Sequence, residues 1–146
     1  MSLVQTVLAF IIALAVLIVV HEYGHYLVAR LAGVKVLRFS VGFGRPILVT
    51  RRGTDQTEWI LAAVPLGGYV KMLDEREAPV APKELHRAFN RQSVWKRFMI
   101  VAAGPVFNFM FAIAVYFALY LHGGPEARPV LAEPPTGSLA QRDVVQ

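Results

Sequence analysis

Two long apolar runs flank a basic middle whose residues alternate in character. The first run extends from about Leu3 to Ala32 and contains an uninterrupted apolar stretch from Val7 to Val20. As a helix it would reach roughly 45 Å at about 1.5 Å per residue, more than the ~30 Å of a bilayer's hydrocarbon core. It is therefore expected to cross a membrane and project a turn or two beyond. Gly33 is placed to end it, with Arg30 in the last turn. The second run, Phe98 to Leu121, would reach roughly 36 Å, enough to span with some tilt. Ser93 is the expected cap at its start. Trp95, Lys96 and Arg97 fit one membrane interface, Tyr116 and Tyr120 fit the other, and Gly123-Gly124-Pro125 ends the helix.

Between the runs the period shortens. Val34 to Phe39, Pro46 to Arg51, Thr57 to Val64 and Tyr69 to Leu73 are rich in β-branched and aromatic residues. Turns are expected at Arg52-Gly53-Thr54-Asp55 and at Pro65-Leu66-Gly67-Gly68. These segments predict a small antiparallel sheet of up to four strands. Asp74 to Pro82 reads as a charged linker. Pro82 to Asn90 reads as a short amphipathic surface helix with Leu85 and Phe89 on one face. The expected organisation is a first transmembrane helix over 1–33 and a membrane-associated β region over 34–73. A linker with a surface helix over 74–97, a second transmembrane helix over 98–122 and an extracytoplasmic tail over 123–146 follow.

Composition supports a membrane protein. The chain is 55% hydrophobic and 17% charged, against roughly 25% charged in soluble domains. With no cysteine, disulfides and thiolate metal sites are excluded. The net charge of +5 is no footprint for nucleic acid. Every Lys and Arg except Arg128 and Arg142 lies between Arg30 and Arg97. By the positive-inside rule, that loop is expected in the cytoplasm and both termini outside. A signal peptide is disfavoured because no Lys or Arg precedes the first apolar run and no small-residue cleavage site ends it.

The chemistry begins where the longest apolar stretch stops, at His21-Glu22-Tyr23-Gly24-His25. Two histidines four residues apart share one face of a helix, and neutral imidazole is a good ligand for Zn²⁺. Glu22, beside the first ligand, is the candidate general base. Charged residues inside a membrane cost about 2.5–3.5 kcal/mol or more each, so this cluster needs internal partners, and a metal supplies them. Gly24 and Ala29 leave room for another helix. Catalytic zinc normally takes three protein ligands. The metzincin extension is excluded because Val28 and Leu31 stand where it needs Gly and His. Glu58, Asp74, Glu75, Glu77 and His86 are the third-ligand candidates within the chain. None belongs to a helical ligand motif, so a helix outside this chain is the expected source.

Four stretches resemble the site-2 protease family of intramembrane zinc metalloproteases, in particular the bacterial regulator-of-sigma-E protease group. They are His21 to His25, Phe39-Ser40-Val41-Gly42-Phe43-Gly44, Val64 to Met72, and Phe98 to Asn108 with its Ala102-Ala103-Gly104-Pro105-Val106-Phe107-Asn108. They occur in the family's order and cover most of residues 1–121. The resemblance implies that His21 and His25 bind zinc, that Glu22 is the catalytic acid/base and that the sheet lies at the membrane beside the active site. It also implies a third ligand, an aspartate of an Asp-Gly pair on a later transmembrane helix, which this sequence lacks. Pro129 to Gln146 resembles the beginning of a PDZ domain, so the chain reads as an N-terminal half that would be inactive alone. The expected setting is a bacterial inner membrane, the expected partners are the bilayer and membrane proteins with a transmembrane segment, and the expected reaction is cleavage of that segment in regulated intramembrane proteolysis.

Substrate handling is open to two readings of the same residues. Glycines at 42, 44, 67 and 68 would permit close backbone approach, and an exposed strand edge could receive an unwound substrate by strand addition. Each is also an ordinary hairpin glycine. Gly67, Gly68 and Asn108 are the candidates for the vicinity of the site. Asn108, the strongly polar residue of the second run, either faces the active site or makes an interhelical hydrogen bond, worth about 0.6 kcal/mol on average. Gly104-Pro105 is expected to mark a kink or a close helix contact. The competing functions are a transporter using His21, Glu22 and His25 as an ion relay, and a noncatalytic membrane scaffold.

Overall fold

The computed structural model describes residues 2–123. Its elements run α1 (Leu3–Leu31), β1 (Val36–Arg52), β2 (Thr57–Met72), two 3₁₀ turns at Pro82–Arg87 and Phe89–Arg91, and α2 (Val94–Leu121). The chain divides within α2 into a unit ending at Ala114 and one beginning at Val115. Of the second unit, the described part is the last turns of α2 and residues 122–123. The tail expected to begin a PDZ domain lies outside the described residues.

Both helices are long and apolar enough to cross a membrane, with mean hydropathies of 3.0 and 2.1 over their most apolar windows. α1 starts at a capping box in which Ser2 Oγ accepts from Gln5 N–H while the Gln5 side chain accepts from Ser2 N–H. It ends in a Schellman motif. Gly33 sits at φ +85°, its N–H reaches Arg30 O, and Val34 N–H reaches Ala29 O, so the last carbonyls are satisfied. α2 begins four residues before the apolar run, because Ser93 caps it and draws Trp95, Lys96 and Arg97 into its first turns. Pro105 lies inside α2 and leaves the Val101 carbonyl without its usual donor four residues on.

The sheet corrects the expectation of separate short strands. Two long strands pair antiparallel, and their bends make one segment serve twice. Arg38 to Val41 pairs with Lys71 to Gly68 on one side and, in step, with Glu58 to Leu61 on the other. Pro46 to Arg52 then covers the far side of Thr57 to Ala62. The segments expected as four strands are thus joined in pairs without leaving strand conformation. Gly42, Gly44 and Gly67 adopt φ of +89°, +83° and +137°, which lets the strands bend where turns were expected. The register leaves the outer edge of residues 68–71 without a strand partner among the described residues.

The expected surface helix over Pro82–Asn90 forms as two 3₁₀ turns broken at Ala88. Ala88 is extended, with ψ of 137°, where the backbone bonds to the residues that flank the strands as well as to its own 3₁₀ turns. Lys35 N–H donates to Arg87 O, and Phe89 N–H donates to Leu73 O at 2.7 Å. Phe89 therefore turns inward, against the core of Ala29, Val34, Val36 and Ile100 that joins α1, the sheet and α2. Tyr26, Phe39 and Trp59 form a second cluster, with ring centroids 4.6–5.7 Å apart, fastening the sheet to α1 one residue after His25.

Candidate metal centre

The helical spacing brings His21 and His25 together as expected. Their Nε2 atoms converge to 3.2 Å. Two nitrogens at 2.0–2.1 Å from a tetrahedral zinc stand about 3.3 Å apart, so the separation suits a shared ion. His25 Nδ1 lies 2.7 Å from the Ile100 carbonyl. A carbonyl only accepts, so Nδ1 carries the proton and Nε2 presents its lone pair. Both Nε2 atoms face Gly104 of α2. A Cβ there would lie 2.6 Å from His21 Nε2 and closer still to His25 Nε2, which marks a space of ion size bounded by both imidazoles. The residues present therefore fit zinc.

Glu22 lies beside the pair and, with His25, lines a pocket of about 310 Å³. Gly68, Tyr69, Val70 and Met72 of β2 form another wall, and Phe89 and Ile100 contribute to it. Gly68 passes so close to Glu22 that an added Cβ would fall 2.9 Å from Glu22 Cγ and 2.7 Å from Ser40 O. Gly67 is not brought to the pocket. It abuts the Phe43 ring, which stacks on Tyr69. Asn108 does reach the pair, with Nδ2 3.3 Å from His21 Nδ1.

Among the described residues, no third His, Cys, Asp or Glu joins the two histidines. The internal carboxylate candidates are bound elsewhere. Glu58 receives Arg38 and Arg51, Asp74 receives Arg76, Glu75 receives Arg91, and Glu77 pairs with Lys71. The arginines hold Glu58, Asp74 and Glu75 below the ordinary carboxylate range through these hydrogen bonds.

Sequence reasoning missed the Ile100 carbonyl, because a backbone acceptor has no residue-type signal. It also missed Phe89, whose apolar character was visible but whose direction was not. Gly104 was visible as Gly-Pro, yet only the fold places it opposite the imidazoles.

Two apolar helices thus meet at a pair of converging imidazoles, with Glu22 and a sheet edge beside them. Residues 9–143 match peptidase family M50, and the chain belongs to that family. It is 62% identical over 143 residues to "Putative zinc metalloprotease RSc1411" of Ralstonia nicotianae, covering 92% of this chain and 31% of the relative. It is 51% identical over 142 residues to the regulator of sigma-E protease RseP of Escherichia coli, covering 96% and 31%. It is 49% identical over 142 residues to protease RseP of Yersinia pestis, again covering 96% and 31%. The chain thus spans about a third of the length of these relatives.

Proposed function

We propose that the intact protein is an intramembrane zinc endopeptidase that cuts transmembrane segments of other membrane proteins, and that this chain contributes two metal ligands and the base. The convergence of His21 and His25 at 3.2 Å, beside Glu22 and a free strand edge, carries the reading. Zinc held by His21 and His25 supplies Lewis acidity. The family resemblance implies a third ligand, the aspartate of an Asp-Gly pair on a later transmembrane helix. Glu22 takes a proton from the attacking water and returns it to the leaving amine.

A helical substrate hides its scissile carbonyl in its own hydrogen bonds. The edge of residues 68–71 offers replacements, so an unwound segment adds there as a strand and lies across the pocket. Lipid contact by the sheet fits its composition. Phe43, Ile47, Leu48, Val64 and Leu66 near the bends are exposed, while the opposite end carries Arg51, Arg52 and the Asp55 ion pairs. By the positive-inside rule, the basic region over 34–97 supports a cytoplasmic loop in a bacterium, with the helices in its inner membrane and both termini outside. Nothing in the comparisons supports the transporter reading.

Glu22→Gln in the intact protein, reconstituted with a substrate bearing a transmembrane segment, tests the proposal. Zinc content should match wild type while cleavage falls by about 10²-fold or more. Wild-type cleavage by the variant, or a wild-type protein that holds no zinc, would overturn it.

A further inference from the structure

Ile100, Gly104 and Asn108 are four residues apart on α2, so they stack on one face of that helix. All three meet the histidine pair. The Ile100 carbonyl fixes the His25 tautomer. Gly104 has no side chain where a Cβ would crowd both Nε2 atoms. Asn108 reaches His21, but in an orientation that does not suit a shared metal. With Nδ2 donating to His21 Nδ1, the neutral imidazole would carry its proton on Nε2 and could donate it to His25 Nε2 across 3.2 Å, leaving one lone pair where an ion needs two. Meanwhile Asn108 Oδ1 is buried without a hydrogen-bond partner. Turning the carboxamide by 180° about Cβ–Cγ resolves both points. Oδ1 then accepts the Nδ1–H of His21, and Nε2 presents a lone pair alongside that of His25.

We infer that this face of α2 is a positioning rail for the metal. Asn108 acts through Oδ1 to set the His21 tautomer, the Ile100 carbonyl does the same for His25, and Gly104 keeps the ion's space clear. Asn108 is thus a positioning residue that works through His21. With both Nδ1 atoms protonated, the two Nε2 lone pairs 3.2 Å apart repel unless a cation lies between them. The inference rests on the proposed assignment of His21 and His25 as zinc ligands.

The test is zinc stoichiometry and affinity, measured by chelator competition on the intact protein in detergent, without reference to proteolysis. Asn108→Leu removes the acceptor and should weaken zinc binding about 10- to 100-fold, the usual cost of losing a partner behind a ligating histidine. Asn108→Asp keeps an acceptor oxygen and loses the donor, so it should bind zinc at least as tightly as wild type. Gly104→Ala should lose stoichiometric zinc, whereas Val106→Ala, on an exposed part of the same helix, should keep it. Helical circular dichroism and monodispersity identify variants that fold. If Asn108→Asp binds as weakly as Asn108→Leu, the amide acts as a donor and the inference fails. It also fails if folded Gly104→Ala retains wild-type zinc affinity. His21→Ala with His25→Ala separates the two levels. Zinc retained in that double variant removes the ligand assignment itself, while zinc lost there but kept in Gly104→Ala and Asn108→Leu removes only the role of α2.

Discussion

Arg87 grips Asp55 with two hydrogen bonds of 2.7 Å, one to each carboxylate oxygen. Asp55 lies in the turn between β1 and β2, its side chain only 7% exposed, and Arg30 near the end of α1 approaches it at 3.8 Å. One buried carboxylate therefore ties the hairpin turn to the helix that carries His21 and His25 and to the 3₁₀ segment that precedes Phe89. Removing one partner from such a pair leaves a buried charge unsatisfied. Arg87→Ala should destabilise the fold by about 1.5–3 kcal/mol, the range for hydrogen bonds to charged groups. Thermal unfolding in detergent measures it. A variant indistinguishable from wild type would show that the remaining contacts hold the turn.

The same carboxylate gives a pH dependence with a definite sign. The Arg87 hydrogen bonds hold Asp55 below the usual range, opposed in part by burial. A group whose pKa is depressed in the folded state contributes stability above its unfolded value, about 3.9 for Asp, and loses it as pH falls through the lower folded value. Wild type should therefore exceed Asp55→Asn in stability by a constant margin above about pH 4, and the margin should shrink in more acidic solution. Using the difference between the two proteins cancels the parallel titrations of Glu58, Asp74, Glu75 and Glu84, whose values are also lowered by basic partners. A margin that widens with acid would contradict this account.

Two glycines of the first helical region should fail for different reasons. A Cβ on Gly24 would meet the Ala103 carbonyl at 2.7 Å and the Phe107 ring at 2.9 Å. Gly24→Leu should force α1 and α2 apart locally, costing about 1–3 kcal/mol or more by overpacking and disturbing the His25–Ile100 contact one residue away. Gly33 has open space around it but a φ of +85°, so Gly33→Ala should cost only about 1–2 kcal/mol of backbone strain and leave zinc binding intact. Paired measurements of thermal stability and zinc content distinguish these outcomes. Equal zinc loss in both variants would show that general destabilisation, and not the helix contact, governs the site.

Legibility from sequence followed the range of the interactions. The helices, the Gly33 stop, the Ser93 cap and the pairing of His21 with His25 depend on neighbours within a turn or two, and each could be read locally. The bent strands could not, because Gly42, Gly44 and Gly67 look like turn residues until Phe43 pairs with Val64 across the bend. The break at Ala88 between the two 3₁₀ turns is hidden for a similar reason. The Leu85 and Phe89 spacing suits a helix, but bonds from Phe89 to Leu73 and from Lys35 to Arg87 override that preference. Asp55 looked like an ordinary turn residue, and its buried role depends on arginines 25 residues before and 32 after it in the chain.

The free strand edge supports the most direct test of substrate binding. Along residues 68–71, alternate backbone N–H groups point toward β1 and away from it. Proline removes one N–H, so at an outward position it should block an incoming strand while sparing the sheet. At an inward position it should damage the sheet itself. Tyr69→Pro and Val70→Pro are adjacent, and one of the two must be outward. The folded member of this pair should keep its zinc and lose most cleavage of a transmembrane substrate. Proline at the exposed residue Ile47, on the strand segment farthest from residues 68–71 in the sheet, should leave cleavage near wild type if the variant folds. Wild-type cleavage by a folded edge variant would rule out strand addition along this edge and leave the metal assignment untouched.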